Sequence, residues 1–185
     1  MRLSGRKPDV RGYGMTLIQT KHYQINPITE DDLNSVLEVY RQCEDFLALG
    51  PQPHASMEMV LADLEVSRME GGVFCGIWDQ SRTMVGVVDF IPESFQGNPH
   101  HAFLSLLMIP KSYRKKGIGA EIATAVEHEI SKNTLVTSIL SAVQTNNDPA
   151  IRFWQKMGYR IVSGPEPQKD GTITYKLQKD SCPDS

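Results

Sequence analysis

A basic, glycine-containing turn at residues 114–119, RKKGIG, carries the residue types best suited to binding chemistry. If a helix begins there, its first N–H groups have no partner within the helix, and the helix dipole adds roughly half a positive charge. Gly117 and Gly119 lack the side chains that would keep a phosphate away from those donors. Arg114, Lys115 and Lys116 add formal positive charge. The pattern indicates a phosphate or pyrophosphate site, with a solvated basic surface turn as the alternative.

Two apolar patterns flank this turn and predict the elements that hold it. Residues 106–109, LLMI, form an apolar run of strand length that Pro110 closes. Isoleucine or valine then recurs at every fourth position from 118 to 130, which is helical spacing. The turn lacks the G-x-x-x-x-G-K-[ST] pattern of P-loops and does not complete G-x-G-x-x-G. The sequence therefore predicts a buried strand, a basic turn and a helix with an open first turn.

A second constellation lies at residues 143–159, VQTNNDPAIRFWQKMGY. Asp148 is predicted as the helix N-cap with Pro149 at the first helical position, and Gly158 is placed to end the helix. One face of this helix comprises Ala150, Phe153, Trp154 and Met157. Taken one at a time, these features are typical of a cap, a core face and a helix end.

Together, the two constellations resemble the signatures of the GCN5-related N-acetyltransferase (GNAT) family. The first is R-x-x-G-x-G directly after an apolar strand. The second is N-x-x-A, then an aromatic pair near a lysine, then glycine and an aromatic. The residues that meet it are Asn147, Ala150, Phe153, Trp154, Lys156, Gly158 and Tyr159.

The resemblance implies an α/β fold of the α+β kind: one domain with a mixed, mostly antiparallel sheet and helices on both faces. We place this domain at residues 17–179, after a flexible tail at 1–16 and before a loose tail at 180–185. In this family two neighbouring strands, here those ending at 109 and near 143, splay apart. The pantetheine arm of acetyl-CoA lies in the gap like an added strand.

The resemblance also assigns the residues that contact acetyl-CoA as acyl donor. Main-chain groups of Leu107, Met108 and Ile109 are expected along pantetheine. The pyrophosphate is assigned to the turn and the helix start, comprising Arg114, Lys115, Lys116, Gly117, Ile118, Gly119 and Ala120. The opposite border is assigned to Asn147, Ala150, Phe153, Trp154 and Lys156.

The expected reaction is attack of an amine on the thioester, and this requires a base. A lysine-like amine has a reference pKa of ~10.4 and is protonated near neutrality, so a proton must be removed first. Some relatives use a glutamate on the strand at residues 102–109, where this chain has only Ser105 as a polar group. The candidates nearby are Glu44, Asp45, Asp89, Glu93, His100 and His101. We predict His101 or Glu93 as the base, acting through an ordered water.

Stabilisation of the oxyanion and departure of the thiolate depend less on side chains than deprotonation of the amine does. A backbone N–H near Met108 is the expected oxyanion donor. Relatives often place an acidic tyrosine at the position of Trp154, but an indole N–H donates a hydrogen bond without giving up its proton. Trp154 is therefore predicted to pack against the cofactor, with Tyr159 as an alternative acid. The thiolate has a reference pKa of ~8.5 and can leave without an acid.

The remaining patterns predict elements before and between these motifs. A strand is predicted at 22–28, and Thr29 with Asp32 forms a near capping box before a helix to about residue 46. Ser56 is predicted to cap a second helix that Gly71-Gly72 ends. Further strands are predicted at residues 73–78, 84–91, 136–143, 159–163 and 172–177.

Composition limits the class of protein. A net charge of −3 argues against a general nucleic-acid binder, whose domain is usually strongly basic. Cys43, Cys75 and Cys182 are widely spaced and odd in number, which favours reduced thiols in the cytoplasm. We predict no metal site from the scattered histidines, and no membrane span because no run of ~18 apolar residues occurs.

Three functions remain for comparison. The first is acetyl transfer from acetyl-CoA to a primary amine of a small molecule or peptide. The second is an acyl-CoA-binding regulatory module without turnover, favoured by the missing tyrosine and strand glutamate. The third is an anionic-partner or nucleic-acid binder using residues 114–116, against which the net acidity and the second motif weigh. Homodimers are common among relatives, and the acceptor itself is not specified by any motif.

Overall fold

The computed structural model describes residues 17–181, so the predicted tail at 1–16 and residues 182–185 lie outside the described chain. The described part contains one eight-stranded sheet in the order β1-β2-β3-β4-β5-β6-β8-β7. Every neighbouring pair is antiparallel except β5 and β6, which run parallel. The mixed, mostly antiparallel sheet expected from the resemblance is confirmed.

The elements follow one another along the chain with short connections. The strands are β1 (Ile18–Gln19), β2 (Gln24–Pro27), β3 (Val73–Trp78), β4 (Met84–Ile91), β5 (His101–Met108), β6 (Ser138–Gln144), β7 (Arg160–Pro167) and β8 (Ile173–Asp180). The helices are α1 (Leu33–Gln42), α2 (Glu44–Leu47), α3 (Met57–Met69), α4 (Ile118–Ser131) and α5 (Asp148–Lys156). Short 3-10 turns lie at Glu30–Asp32, Phe95–Gly97 and Lys111–Tyr113.

Two apolar clusters, one on each face of the sheet, hold the helices in place. α1 and α3 pack on one face through fully buried side chains such as Val36, Tyr40 and Val60. α4 covers the other face with Ile122, Val126 and Ile130. Burial of apolar surface on both faces explains why β4, MVGVVDFI, is buried along its whole length.

Several local predictions are confirmed. β3 and β4 have the predicted bounds, and the Thr29–Asp32 capping box is present in the structure. The Ser56 hydroxyl accepts a hydrogen bond from the Met59 N–H at 3.2 Å, as expected of an N-cap.

Other local predictions are wrong in detail. The helix predicted to reach residue 46 stops at Gln42, because Cys43 leaves helical geometry with φ −112° and ψ 19° before α2 begins. The predicted N-cap Asp148 is the first residue of α5, and the cap is Asn147, whose side chain accepts from the Ala150 N–H at 3.2 Å. β8 extends to Asp180, one residue into the segment predicted as a loose tail.

Candidate active site in the cleft between two parallel strands

The parallel pair β5–β6 separates part-way along its length. Pairing covers His101 to Leu104 on β5 and Ser138 to Ser141 on β6. At the last paired position, the Ser141 hydroxyl donates to the Leu104 carbonyl at 2.8 Å. Within the described strands the pairing then stops, and a cleft of about 930 Å³ opens between residues 105–109 and 142–144. We call the closed end of this cleft, at Leu104 and Ser141, the apex.

The cleft passes through the sheet from one face to the other. On the α4–α5 side it is lined by Phe153 and Trp154, which belong to or lie against the core of that face. On the other side it is lined by Phe46 and Leu49 from α2 and the segment after it. A long substrate can therefore enter from one face of the sheet and meet a second substrate at the other.

The start of α4 borders the wide end of the cleft, opposite the apex. Gly117 is the N-cap with φ +83°, a left-handed conformation that favours glycine, and no side chain caps this helix. An added Cβ on Gly117 would meet no atom within 4 Å, so the space over the first turn is open. Gly117, Ile118, Gly119 and Ala120 all line the cleft. The open first turn predicted from the sequence is present and offers N–H donors to an anion.

Arg114 anchors the loop that leads into α4. Its Nε donates to the Ile109 carbonyl at 2.7 Å, and its guanidinium makes a two-pronged pair with the Asp45 carboxylate on α2. The hydrogen bonds from Arg114 hold the pKa of Asp45 below its usual range. The loop at the wide end is thus tied both to the end of β5 and to α2.

α5 and α4 meet at the cleft wall. A Cβ added to Gly119 would come within 3.3 Å of the Phe153 ring, so glycine at 119 allows this close approach. Trp154 is 7% exposed and packs edge-to-face against both Phe153 and Tyr159, at ring-centroid distances of 4.9 and 5.0 Å. Burial, with Glu127 adjacent, raises the pKa of Tyr159, and this residue is not among the described cleft-lining residues. Neither aromatic residue is placed as an obvious acid.

Fourteen of the fifteen residues assigned to acetyl-CoA lie along the cleft. They are Leu107, Met108, Ile109, Arg114, Lys115, Gly117, Ile118, Gly119, Ala120, Asn147, Ala150, Phe153, Trp154 and Lys156. The exception is Lys116, which is not among the described residues that line the cleft. Its Nζ lies over the Tyr113 ring, 5.6 Å from the ring centroid. The two sequence motifs, distant along the chain, therefore meet across one cleft.

The two residues predicted as the base lie elsewhere. His101 begins β5, at the paired end of the strand, and its Nε2 is 3.3 Å from the Asn98 side-chain amide. The Glu93 carboxylate accepts a hydrogen bond from the Asn133 side chain. Neither is among the described residues that line the cleft: His101 lies in the part of β5 that pairs with β6, and Glu93 lies in the segment before β5. Their role as base stays a prediction that the geometry does not favour.

A buried polar cluster close to the apex was not predicted from the sequence, although Asp89 was among the nearby candidates. Asp89 on β4 is 7% exposed, and its carboxylate accepts hydrogen bonds from Ser67 on α3 at 2.6 Å and Ser105 on β5 at 2.5 Å. Burial raises the pKa of the Asp89 carboxyl. The sequence feature that could have indicated this cluster is the single aspartate in the otherwise apolar strand MVGVVDFI.

A smaller hollow of about 390 Å³ adjoins the cleft on the α2 side. It lies between the segment after α2, with Leu49 to Pro51, and the β6–α5 and β7–β8 connections, with Asn146 and Asp170. The Asn146 side chain donates to the Leu49 carbonyl at 3.1 Å, which joins two of these segments. Hydrogen bonds from the Thr172 N–H and hydroxyl keep the pKa of Asp170 low, so this carboxylate is charged near neutrality.

The described residues contain no group of three or more His, Cys, Asp or Glu side chains arranged to hold a metal ion. Between residues 17 and 181 no helix combines the length and the apolar character needed to cross a bilayer.

Comparison with known sequences identifies a family. The sequence profile described as "Acetyltransferase (GNAT) family" matches residues 33–159. Among curated proteins, no sequence matches this chain significantly.

Solved structures share the fold at low sequence identity. An acetyltransferase from Thermus thermophilus superposes with a TM-score of 0.70 at 20% identity, over 89% of this chain and 99% of its own. Spermidine N-acetyltransferase from Vibrio cholerae, in complex with CoA and spermine, gives 0.66 at 12% identity, over 86% and 95%. PaiA N-acetyltransferase from Thermoplasma acidophilum, in complex with coenzyme A, gives 0.62 at 18% identity, over 85% and 98%.

Proposed function

The chain belongs to the acetyltransferase (GNAT) family, and on that premise we propose that it transfers the acetyl group of acetyl-CoA to a primary amine of a small molecule or peptide. The acyl donor in this family is acetyl-CoA. The observation that carries the proposal is the cleft itself: it has an uncapped glycine start of α4 at its wide end and separated β5 and β6 strands as walls.

The residues present fit an acyl-CoA. The first turn of α4 offers main-chain donors that no side chain caps, and Lys115 adds positive charge at the cleft. Between the apex and the wide end, β5 supplies strand backbone that is not paired with β6 from Ser105 onwards, where an extended pantetheine arm can bond as an added strand. When bound, acetyl-CoA supplies the activated acetyl thioester.

The direction of the cofactor follows from these two ends. If the diphosphate lies at the wide end beside Gly117, the thioester points along β5 towards the apex. A backbone N–H near Met108 can then stabilise the oxyanion that forms on attack by the amine. The acceptor approaches from the α2 side, where Phe46 and Leu49 line the cleft.

The acceptor-side surface favours a cationic amine. Asp170 borders the adjoining hollow, and its charge attracts ammonium groups towards the cleft. One of the fold neighbours is named for spermidine, a polyamine, which makes polyamines a reasonable first probe.

Departure of the thiolate does not require a side-chain acid. Trp154 stands where an acidic tyrosine is common among relatives, and its indole N–H cannot serve as a proton donor in the reaction. A thiol is far more acidic than an alcohol, with a reference pKa of ~8.5 for the cysteine side chain, so the thiolate can leave by itself.

The alternative is a module that binds acyl-CoA without turnover. The observation that favours it is that tryptophan, and not tyrosine, stands at position 154, while the neighbouring Tyr159 is buried beside Glu127. Binding and turnover must therefore be measured separately.

The test is a thiol-release screen paired with calorimetry on the purified chain. Acetyl-CoA is mixed with polyamines, aminoglycosides, amino acids and peptides with free N-termini, and free CoA is followed with a thiol reagent. Release that depends on the amine supports transfer. Calorimetric binding of acetyl-CoA without release from any amine supports the idle module. No heat for CoA or acetyl-CoA at millimolar concentration contradicts both.

A further inference from the structure

Asp89 is a buried carboxylate for which the described residues provide no cationic partner. Its two side-chain oxygens are held by hydroxyls, Ser67 at 2.6 Å and Ser105 at 2.5 Å. In the described part of the chain no ion pair involves Asp89. A carboxylate buried without a counter-charge is costly, and such groups are commonly found where a proton is exchanged.

The groups that face Asp89 from the surrounding elements do not supply positive charge either. They are Tyr40 on α1, Asp63 on α3 and Cys75 on β3. Tyr40 donates to the Asp63 carboxylate at 2.7 Å, and burial raises the pKa of both Asp63 and Cys75. Asp89 therefore sits among neutral or acidic neighbours, which favours its uptake of a proton.

Ser105 connects this cluster to the cleft. The register between β4 and β5 shifts at Asp89/Phe90, so that Asp89 pairs with Leu106, Phe90 pairs with Leu104, and Ser105 is the extra residue of a bulge. Ser105 is also the first residue of β5 beyond its pairing with β6, at the apex. It lines the cleft while its hydroxyl contacts Asp89.

Ser105 and Asp89 lie close to where the two proposed substrates would meet. Because Ser105 and Asp89 bond towards α3, they lie on the same side of the sheet as α1 and α2, the side from which the acceptor approaches. The thioester, coming from the wide end along β5, approaches from the opposite direction.

We propose that Ser105 and Asp89 form the proton-accepting pair of this enzyme: Ser105 contacts the acceptor ammonium, and Asp89 stores the proton. The inference rests on the proposed function. It assigns Ser105 as a catalytic residue and Asp89 as a positioning residue that acts through it.

The proposed reaction balances in protons and bonds. The acceptor R–NH₃⁺ gives one proton to the Ser105 Oγ while the Ser105 hydroxyl proton passes to Asp89 Oδ2, which leaves R–NH₂, an intact serine and a neutral carboxylic acid. The amine lone pair then forms the C–N bond at the thioester carbonyl. As the C–S bond breaks, the nitrogen loses its second proton and the sulfur takes one, giving amide and CoA thiol. Asp89 releases its proton to solvent through Ser105.

The pair makes a specific claim about pH. With a base of raised pKa, kcat/KM levels off between the pKa of the base and that of the amine, near 10 for a lysine-like amine. Without the base only the free amine reacts, so kcat/KM rises tenfold per pH unit through neutrality. The loss in a variant is then largest at low pH and shrinks as the pH approaches the amine's own pKa.

The experiment measures kcat/KM from pH 5.5 to 9.5 with the fastest amine of the thiol-release screen. Ser105→Ala and Asp89→Asn are expected to lose about 100-fold at pH 7, the lower end of the range for general base catalysis, and to show the continuous rise. Ser105→Thr keeps a hydroxyl and is expected to restore the plateau. Asp63→Asn is the matched control: it removes another carboxyl on the same side of the sheet, one that is hydrogen-bonded to Tyr40, and its profile should keep the plateau with at most a shift along the pH axis.

Other outcomes separate the two proposals. Calorimetry with acetyl-CoA shows whether each variant still binds, so a folded variant that binds normally but loses the plateau supports the pair. A wild-type plateau retained in both Ser105→Ala and Asp89→Asn overturns it, and a plateau lost in His101→Ala or Glu93→Gln instead assigns the base to those residues. If the wild-type protein releases no thiol with any amine, the proposed function fails, and the pair fails with it.

Discussion

Trp154 is predicted to pack against the cofactor and not to act as an acid. Its ring is buried between Phe153 and Tyr159 and borders the cleft. Contacts of this kind depend on an aromatic ring and not on the indole N–H. We therefore expect Trp154→Phe to retain most of kcat, with a modest rise in KM for acetyl-CoA because a smaller ring covers less of the cofactor.

The measurement is steady-state kinetics with saturating amine. Tyr159→Phe serves as the matched control, since it removes a hydroxyl from the neighbouring ring and should likewise leave kcat unchanged. A kcat loss near a thousandfold in Trp154→Phe, the size expected when a general acid is removed, would contradict the packing role.

Asp89 makes a second residue-scale prediction, which concerns stability and not rate. Burial raises the pKa of its carboxyl in the folded protein above the value in the unfolded chain. Between those two pKa values the folded state binds more protons, so the free energy of unfolding falls as pH rises. The contribution of Asp89 is fully present below its unfolded pKa and is lost as the pH rises through the folded pKa.

Urea unfolding of wild type and Asp89→Asn at pH 4 and pH 7 measures this effect. We expect the variant to gain on the order of 1 kcal/mol relative to wild type between the two pH values. Asp31→Asn removes an exposed carboxylate and provides the baseline. A difference between wild type and Asp89→Asn that does not change with pH would mean that the carboxyl titrates alike in the folded and unfolded chains.

The sequence predicted the open start of α4 but not the contact between Asp89 and Ser105, and residue-level physics explains why. Glycines and lysines at 114–119 act through local backbone geometry, which sequence spacing describes directly. Asp89 and Ser105 are 16 positions apart, and they meet only because β4 and β5 pair antiparallel with a bulge at this point. Sequence alone ranks candidate bases by type and neighbourhood along the chain, which favoured His101 and Glu93.

At the scale of elements, those bounded by strong turn signals were predicted best. β3 and β4 flank a turn in which the Asp79 carboxylate accepts from the Ser81 and Thr83 N–H groups at 2.9 Å each, and their predicted bounds are correct. β1 has two residues, too few for any periodicity. β7 was predicted too short because it is exposed at the sheet edge and shows no apolar alternation.

The start of α4 makes the element-scale prediction. Gly117→Ala puts a side chain on a left-handed residue at φ +83°, with a conformational cost of about 1–2 kcal/mol. The methyl group would also stand over the open first turn. We expect the dissociation constant for CoA to rise about tenfold or more, which corresponds to about 1.4 kcal/mol.

Gly71→Ala separates the two effects. Gly71 has φ +75° and equally open surroundings, but it lies in the turn after α3. Both variants should lose similar stability by thermal unfolding, while only Gly117→Ala should weaken CoA binding by calorimetry. Equal affinity in the two variants would place the diphosphate away from this turn.

For the whole molecule, the sheet order is what brings the site together, and local patterns do not determine it. The parallel contact between β5 and β6 joins two antiparallel halves through four paired positions. The resemblance supplied the expectation that these strands separate, whereas the residues alone predicted only the strands. Because the two halves meet at so short a seam, a ligand that contacts both walls of the cleft acts as a bridge between them.

This bridging predicts how the whole chain responds to CoA. At 100 times its dissociation constant, a ligand that binds only the folded state adds about 2.7 kcal/mol to the free energy of unfolding. For a chain of this size that corresponds to a rise in Tm of about 5–10 °C. Hydrogen exchange should slow at residues 105–109 and 117–120 and at the start of α5, while β1 and β2, at the far edge of the sheet, should change least.

Fragments of the cofactor divide the response between the two ends of the cleft. Pantetheine lacks the diphosphate and should slow exchange along β5 only. ADP carries the diphosphate without the arm and should slow exchange at residues 117–120 only. Neither fragment bridges the walls in the way that CoA does, so each should raise Tm by much less than CoA. Protection by CoA that centres on β1–β2 or on β7–β8 would place the cofactor outside the cleft and remove the basis for direct transfer between the two faces of the sheet.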